Sequence, residues 1–185
     1  MVVDFRKEKQ HPQYASLKIY GTPVERVSSY KYLGVLISED LSWSELISTV
    51  VKKARQRLYH LKRLRKFKIS TALQGAFYSA TIQSVVTGSI TVWHGNSSSQ
   101  DRKDLSRVIC CAEHITRTAL PDLQDICIRR CRFRAQLIIK DIHHPNHKLF
   151  QWLPSGKRLR SLMASTERFR RSFFPQAIQT INTTT

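Results

Sequence analysis

Cysteine and histidine are the side chains here best suited to soft-metal or nucleophilic chemistry, and the chain has 4 of the first and 7 of the second. Cys110 with His114, and Cys127 with Cys131, form two pairs spaced i,i+4. Two such helical pairs facing each other could offer four ligands to a structural zinc ion. Zinc knuckles instead use Cys-x2-Cys turns, and small cysteines are common core filler, so burial in a core is the competing reading. His143, His144 and His147 have no glutamate among them, so they lack the His-Glu-x-x-His pattern of a zinc protease. They are read as a turn that caps a helix. Asp101 with Asp104, and Asp122 with Asp125, fall at predicted helix starts, where carboxylates cap free amides; Glu39 and Asp40 fall in a turn. None of these groupings has the strand context that holds paired divalent metals. There is no phosphate-cradling glycine loop, nucleophile elbow or dinucleotide fingerprint. No catalytic residue and no cofactor are therefore assigned.

The strongest functional signal is a run of cations. Lys52, Lys53, Arg55, Arg57, Lys62, Arg63, Arg65, Lys66 and Lys68 occur with no acidic residue among them. A merely solvated helix face usually mixes both signs of charge, so this run points to contact with a phosphate backbone. Weaker basic groups follow at Arg129, Arg130, Arg132 and Arg134, and at Lys157, Arg158, Arg160, Arg168, Arg170 and Arg171. Such contacts position nucleic acid without reading its sequence.

Composition agrees. Lys plus Arg total 31 against 13 Asp plus Glu over 185 residues, a formal charge of +18. An imbalance of that size favours a polyanionic partner: RNA, DNA or an RNA-DNA hybrid first, an anionic membrane surface second. With 41% apolar residues and only 6 Gly and 6 Pro, a folded core is expected rather than a disordered basic tail. The longest apolar stretch, residues 84–93, is too short to cross a bilayer, and the charged start has no signal-peptide character. Adjacent Cys110 and Cys111 suit reduced thiols in the cytosol or nucleus better than a disulfide framework.

The elements that must carry these residues divide in two: a short β region, then a basic helical bundle, α+β and mostly helical overall. Strands are expected around Val2, Val3 and Phe5, over 16–20, and from Val24 after a turn at Gly21-Thr22-Pro23. Residues 30–37 are aromatic and β-branched and should form the best-buried strand. From Leu41-Ser42-Trp43 onward the period becomes helical, with Ile47, Val51, Ala54, Leu58 and Leu61 on one face. Ser70 should cap a second helix with Leu73, Phe77, Ile82, Val85 and Val86 inside. A third runs from Asp101 to Ala119 around Leu105, Val108, Ile109, Ala112 and Ile115. A fourth starts at Pro121-Asp122 and passes through Ile126, Phe133, Leu137 and Ile138. A basic final helix is expected over 157–174, with a frayed Asn/Thr end. The corresponding segments are 1–40, 41–95, 96–142 and 143–185.

Val27-Ser28-Ser29-Tyr30-Lys31-Tyr32-Leu33-Gly34-Val35, then Leu41-Ser42-Trp43 and Ala54-Arg55-Gln56-Arg57-Leu58, resemble non-LTR (LINE-type) retrotransposon reverse transcriptases just after their catalytic palm motifs. The resemblance implies that Tyr32 and Gly34 belong to a strand pair that steadies the primer end. It likewise implies that the basic helices form a thumb around template and primer. Met1 to Phe5 resembles the preceding palm strand; residues 84–93, 112–114 and 119–121 resemble the C-terminal region. That family's Tyr-x-Asp-Asp metal motif has no counterpart here, so the resemblance implies nucleic-acid binding without DNA synthesis. The segment is also similar to sequences described as the N-terminal domain of the alkylated DNA repair protein AlkB homologue 8. An oxygenase of that kind needs a His-x-Asp pair, a distal His and an Arg for 2-oxoglutarate, and no histidine here is followed two positions later by aspartate. A methyltransferase would need a glycine-rich cofactor loop, also lacking.

Overall fold

The apolar period after Trp43 folds as a long helix, α1 (Ser44–Lys66), in a computed structural model that describes residues 1, 3 and 16–184. Of the strand expected around Val2, Val3 and Phe5, only Val3 is among those residues. Leu46, Ile47, Val51, Ala54, Leu58 and Leu61 are the buried face of α1, in agreement with the period of three and four. The chain is α+β and mostly helical, with two small antiparallel hairpins followed by helices.

The hairpins depart from the expected strands. β1 (Lys18–Ile19) pairs with β2 (Thr22–Pro23) around a Tyr20-Gly21 turn, so the second strand begins before Val24. Residues 30–37 are not one buried strand but β3 (Ser29–Tyr32) and β4 (Val35–Ser38), paired Tyr32 to Val35 across Leu33-Gly34. Both turn residues have positive φ, 46° and 82°, the twist a two-residue hairpin requires. The aromatic strand faces outward, with Tyr30 and Tyr32 more than half exposed. β4 is half-buried, and its Val35 and Leu36 pack on the main core. Leucine in a left-handed position is uncommon, which is why this turn has no asparagine-glycine or aspartate-glycine signature.

Ser42 N donates to the Asp40 carboxylate at 2.9 Å, and the Ser38 hydroxyl donates to it as well. Those bonds hold the Asp40 carboxyl down at about 2 and fix the corner from hairpin to α1.

Ser70 caps α2 (Thr71–Phe77), its hydroxyl accepting from Leu73 N. The helix then widens into a π segment, Tyr78–Gln83, before α3 (Ser84–Val86). The expected apolar face is displaced accordingly. Gln74, Tyr78, Ile82 and Val86 are buried at steps of four, while Leu73 is largely exposed. A spacing of four drifts around a 3.6-residue helix, and a π turn absorbs the drift. A short α4 (Ile90–Trp93) follows, with Trp93 fully buried and its indole N–H donating to Gly88 O at 2.8 Å.

α5 (Ser99–Thr116) starts with a capping box between Ser98 and Asp101, and α6 (Leu123–Lys140) with Asp122 accepting from Gln124 N. Leu105, Val108, Ile109, Ala112 and Ile115 of α5, with Leu123, Cys127 and Cys131 of α6, close the core over α1. Phe133 and Leu137 are mainly exposed, whereas Ala135 and Ile138 face inward.

The last forty residues differ most from expectation. Residues 157–166 run without helix. Leu159 pairs with Trp152 as an isolated bridge, and the Asn182 side chain both accepts from Leu159 N at 2.8 Å and donates to Leu159 O at 3.0 Å. The helices are α7 (Glu167–Arg170) and α8 (Phe173–Thr184), so the Asn/Thr end is helical. Phe173, Phe174, Ala177, Ile178 and Ile181 give α8 an apolar stripe. It joins Ala135, Ile138, Phe150 and Leu159 in a second core that Phe173 connects to the first. Pro175 is tolerated because it lies in the first turn.

Gly95 lets this tail in. A methyl group there would lie 2.0 Å from Arg171 O, and neighbouring Asn96 donates to Arg168 O at 3.1 Å. Gly95→Ala should therefore lower the unfolding free energy read from urea titrations by about 1–3 kcal/mol, the range typical of forced overpacking. Gly75→Ala, which meets nothing within 4 Å, should be neutral or better. Tyr78 supplies a second expectation. Burial, and secondarily Glu113, push its phenol up to about 12, whereas an unfolded tyrosine titrates near 10. Its contribution is complete below about pH 10 and is lost as pH rises from there through about 12. Tyr78→Phe should flatten this alkaline part of the stability profile in urea titrations.

Candidate nucleic-acid interface

α1 separates its cations by face. Those on the flank toward the core act within the fold. The Arg65 guanidinium donates to His114 O at 2.6 Å and Ile115 O at 3.0 Å, the last carbonyls of α5. This satisfies acceptors that a helix end leaves open and places positive charge on its negative pole. Arg57 donates to Thr81 O within the π segment. Arg55 sits beside a shallow groove between α1 and α5 with Asp101 and Asp104. The Asp104 carboxyl is held below its ordinary value by Gln100 first, then by Arg107 and Arg55.

The remaining cations face solvent. Lys52, Lys53, Lys62, Arg63, Lys66 and Lys68 are exposed, and none forms an ion pair among the described residues. Lys68 follows α1 with φ of 56° and extends the row past the helix end. Arg57 and Arg65, two of the nine cations singled out by charge, are thus struts of the fold; the sequence could not separate them from the free ones. Arginines elsewhere repeat the pattern. Arg130 donates to Thr87 O, Arg102 to Ser97 Oγ and Gly95 O, and Arg168 to Leu41 O, while Arg170 and Arg171 pair with Glu167.

Two aromatic residues on the same outer face were not evident from charge. Tyr59 and Phe67 are 59% and 65% exposed, and the Arg63 guanidinium lies over both rings, 6.0 and 5.9 Å from their centroids. The signal available in sequence was an aromatic residue four positions before and four after an arginine, on the side away from the apolar stripe. Tyr32 and Gly34, assigned to primer contact by resemblance, lie at the tip of the β3-β4 hairpin, with Tyr32 exposed.

The four-ligand zinc set does not assemble. Cys110 and His114 are exposed on α5, whereas Cys127 and Cys131 are buried on α6. Among the described residues no three His, Cys, Asp or Glu side chains converge as a metal site. The Cys127 thiol donates to Ile90 O at 3.9 Å; its neighbour Cys131, then His94 and Arg130, hold the Cys127 thiol below its ordinary value, while Cys127 and burial push Cys131 up. The histidine turn caps α6 as expected, with His147 Nδ1 3.1 Å from Ile138 O. No described helix is long and apolar enough to cross a membrane.

The fold and this surface define a basic α+β module in which the cations on the outer face of α1 are unpaired among the described residues. A family model described as "Alkylated DNA repair protein alkB homolog 8, N-terminal" matches residues 43–84, from the residue before α1 to the start of α3. No curated protein and no solved structure matches the chain. The match bears on the second of the two resemblances; none of the comparisons supports the reverse-transcriptase one.

Arg65→Met should cost about 1.5–3 kcal/mol in urea unfolding, the usual value of hydrogen bonds from a charged donor. Lys66→Met should stay within about 0.5 kcal/mol, as exposed substitutions do. Equal effects at the two positions would contradict the assignment of Arg65 to the fold and Lys66 to the free face.

Proposed function

We propose that the chain is a noncatalytic nucleic-acid-binding module that grips phosphate backbone with the outer face of α1. The observation that carries this reading is the set of exposed cations Lys52, Lys53, Lys62, Arg63, Lys66 and Lys68, unpaired among the described residues. Each cation set on a phosphate releases a condensed counterion. The name of the matched family, which refers to alkylated DNA repair, fits a nucleic-acid partner, and the matched stretch contains this helix. Oxygenase chemistry is not part of the proposal, because the chain has no His-x-Asp pair to begin an iron site. RNA, DNA and their hybrid all offer the backbone in question. A thumb-like origin in a retroelement polymerase is a second reading, favoured by one observation: a Tyr-Leu-Gly hairpin immediately precedes the basic helix.

Affinity for a labelled oligonucleotide should fall linearly on a log-log plot against salt, with a slope of about −3 if roughly four phosphates of a single strand are neutralised. Reversing Lys62, Lys66 and Lys68 to Glu should weaken binding more than tenfold and flatten that slope by about 2, with helix content unchanged by circular dichroism. Undiminished affinity in the triple variant would sink the proposal. Succinate formed from 2-oxoglutarate by the iron-loaded chain would overturn the noncatalytic part.

A further inference from the structure

We infer that the outer face of α1 is built for single-stranded nucleic acid, with bases stacked on Tyr59 and Phe67 and the phosphate between them on Arg63. The inference rests on the phosphate-binding reading and adds the form of the ligand. Phosphate contact alone asks only for cations. Tyr59 and Phe67 add two exposed rings to the same helix as the exposed Lys62 and Lys66, and neither ring belongs to the core.

The spacing suits an extended strand. At 1.5 Å of rise per residue, positions 59 and 67 are separated by about 12 Å along the helix axis. The Arg63 guanidinium sits between them, about equally far from each ring. Its contact with the rings is of the cation-π kind. The N–H groups around its edge are left for phosphate oxygens, and Arg63 donates to no other side chain among the described residues. His60 meets Tyr59 edge to face, with centroids 5.6 Å apart at 74°, which narrows the orientations open to that ring. A strand lying along α1 can then place one base on each ring, with a phosphate of the backbone between them at Arg63 and others near Lys62 and Lys66.

A duplex cannot use these rings in the same way, because its bases are already stacked on one another and only the backbone reaches a helix face. Unstacked bases offer a π-face whatever their sequence. The ligand class is therefore single-stranded RNA or DNA with little sequence preference.

The test uses the full chain with fluorescein-labelled oligo-dT, oligo-U and a hairpin duplex of equal charge, each over the same series of salt concentrations. Replacing Tyr59 and Phe67 together by Ala should weaken oligo-dT and oligo-U binding by at least about 30-fold, the low end of what losing two stacked bases costs. Duplex affinity should stay within about twofold and the salt slope should be unchanged, because no phosphate contact has been removed. Replacing both by Trp should retain single-strand affinity. Both aromatic residues are exposed, and circular dichroism of each variant verifies that the fold is intact. An alanine double variant that binds single strands as well as the parent, or loses single strand and duplex equally, overturns the inference while leaving phosphate binding in place. A change of oligomeric state with unchanged oligo-dT affinity also overturns it and assigns the face to protein contact. A parent chain that binds none of the three probes removes both readings.

Discussion

Burial of one stripe of α1 against α5 and the stretch from α2 through the π segment to α3 is the interaction on which everything else depends. Between residues 52 and 68 the chain has nine cations and no carboxylate, and pairs such as Lys52 with Arg55, Lys53 with Arg57, and Lys62 with Lys66 stand one turn apart. Like-charge neighbours at those spacings cost about 0.2–0.5 kcal/mol each, so the repulsion totals about 1–3 kcal/mol. Burying Leu46, Ile47, Val51, Leu58 and Leu61 contributes roughly 10 kcal/mol before conformational entropy is charged against it. The apolar side wins several-fold, and a helix that would be poorly populated alone becomes a fixed rod. The cationic face is therefore rigid and preformed, so binding need not spend energy ordering it.

Arginine and lysine divide the work along lines their chemistry dictates. A planar guanidinium with five donors can satisfy two carbonyls at once, as Arg65 does at the end of α5. Lysine, a hydrated point charge on a flexible stem, gains little from such a position and stays in solvent. The fold thus uses Arg57, Arg65, Arg102, Arg130 and Arg168 to join α1, the π segment, α3 and the tail, while the lysines of α1 keep their full charge for an external anion. Arg63 is the informative exception. It is held by two rings rather than by carbonyls, which keeps its donors on the outside.

Periodicity made the helical part of the fold legible. The stripe of α1, the caps at Ser70 and Asp122 and the inner face of α5 all follow from local rules that tertiary contacts reinforced. The misreadings have local causes too. Leu33-Gly34 turns the chain with a residue that rarely adopts positive φ, so an eight-residue apolar run concealed a hairpin. The π segment changes the period within a helix, which moved the buried set from Leu73 to Gln74 and Tyr78. At the C-terminus, basic composition suggested a helix over 157–174, yet the apolar stripe lies later, on α8. The arginine struts were illegible for another reason: whether a cation meets a carbonyl or water depends on elements up to 127 residues apart in sequence, as for Arg168 and Leu41.

The stretch matched by the alkB homolog 8 family model ends at residue 84, yet the proposed interface does not end there in any physical sense. Inside that stretch, α2 and the π segment pack on α1, but its main partner, α5 with Leu105, Val108 and Ala112, comes later. Arg65, the strut nearest Arg63 and Lys66, is anchored on α5, and the corner that starts α1 is held from the tail through Leu41. A segment recognisable by its sequence therefore displays its cations through a scaffold supplied by the rest of the chain. Substitutions far from the interface, in α5 or at Gly95, should reach it by loosening that scaffold rather than by touching nucleic acid.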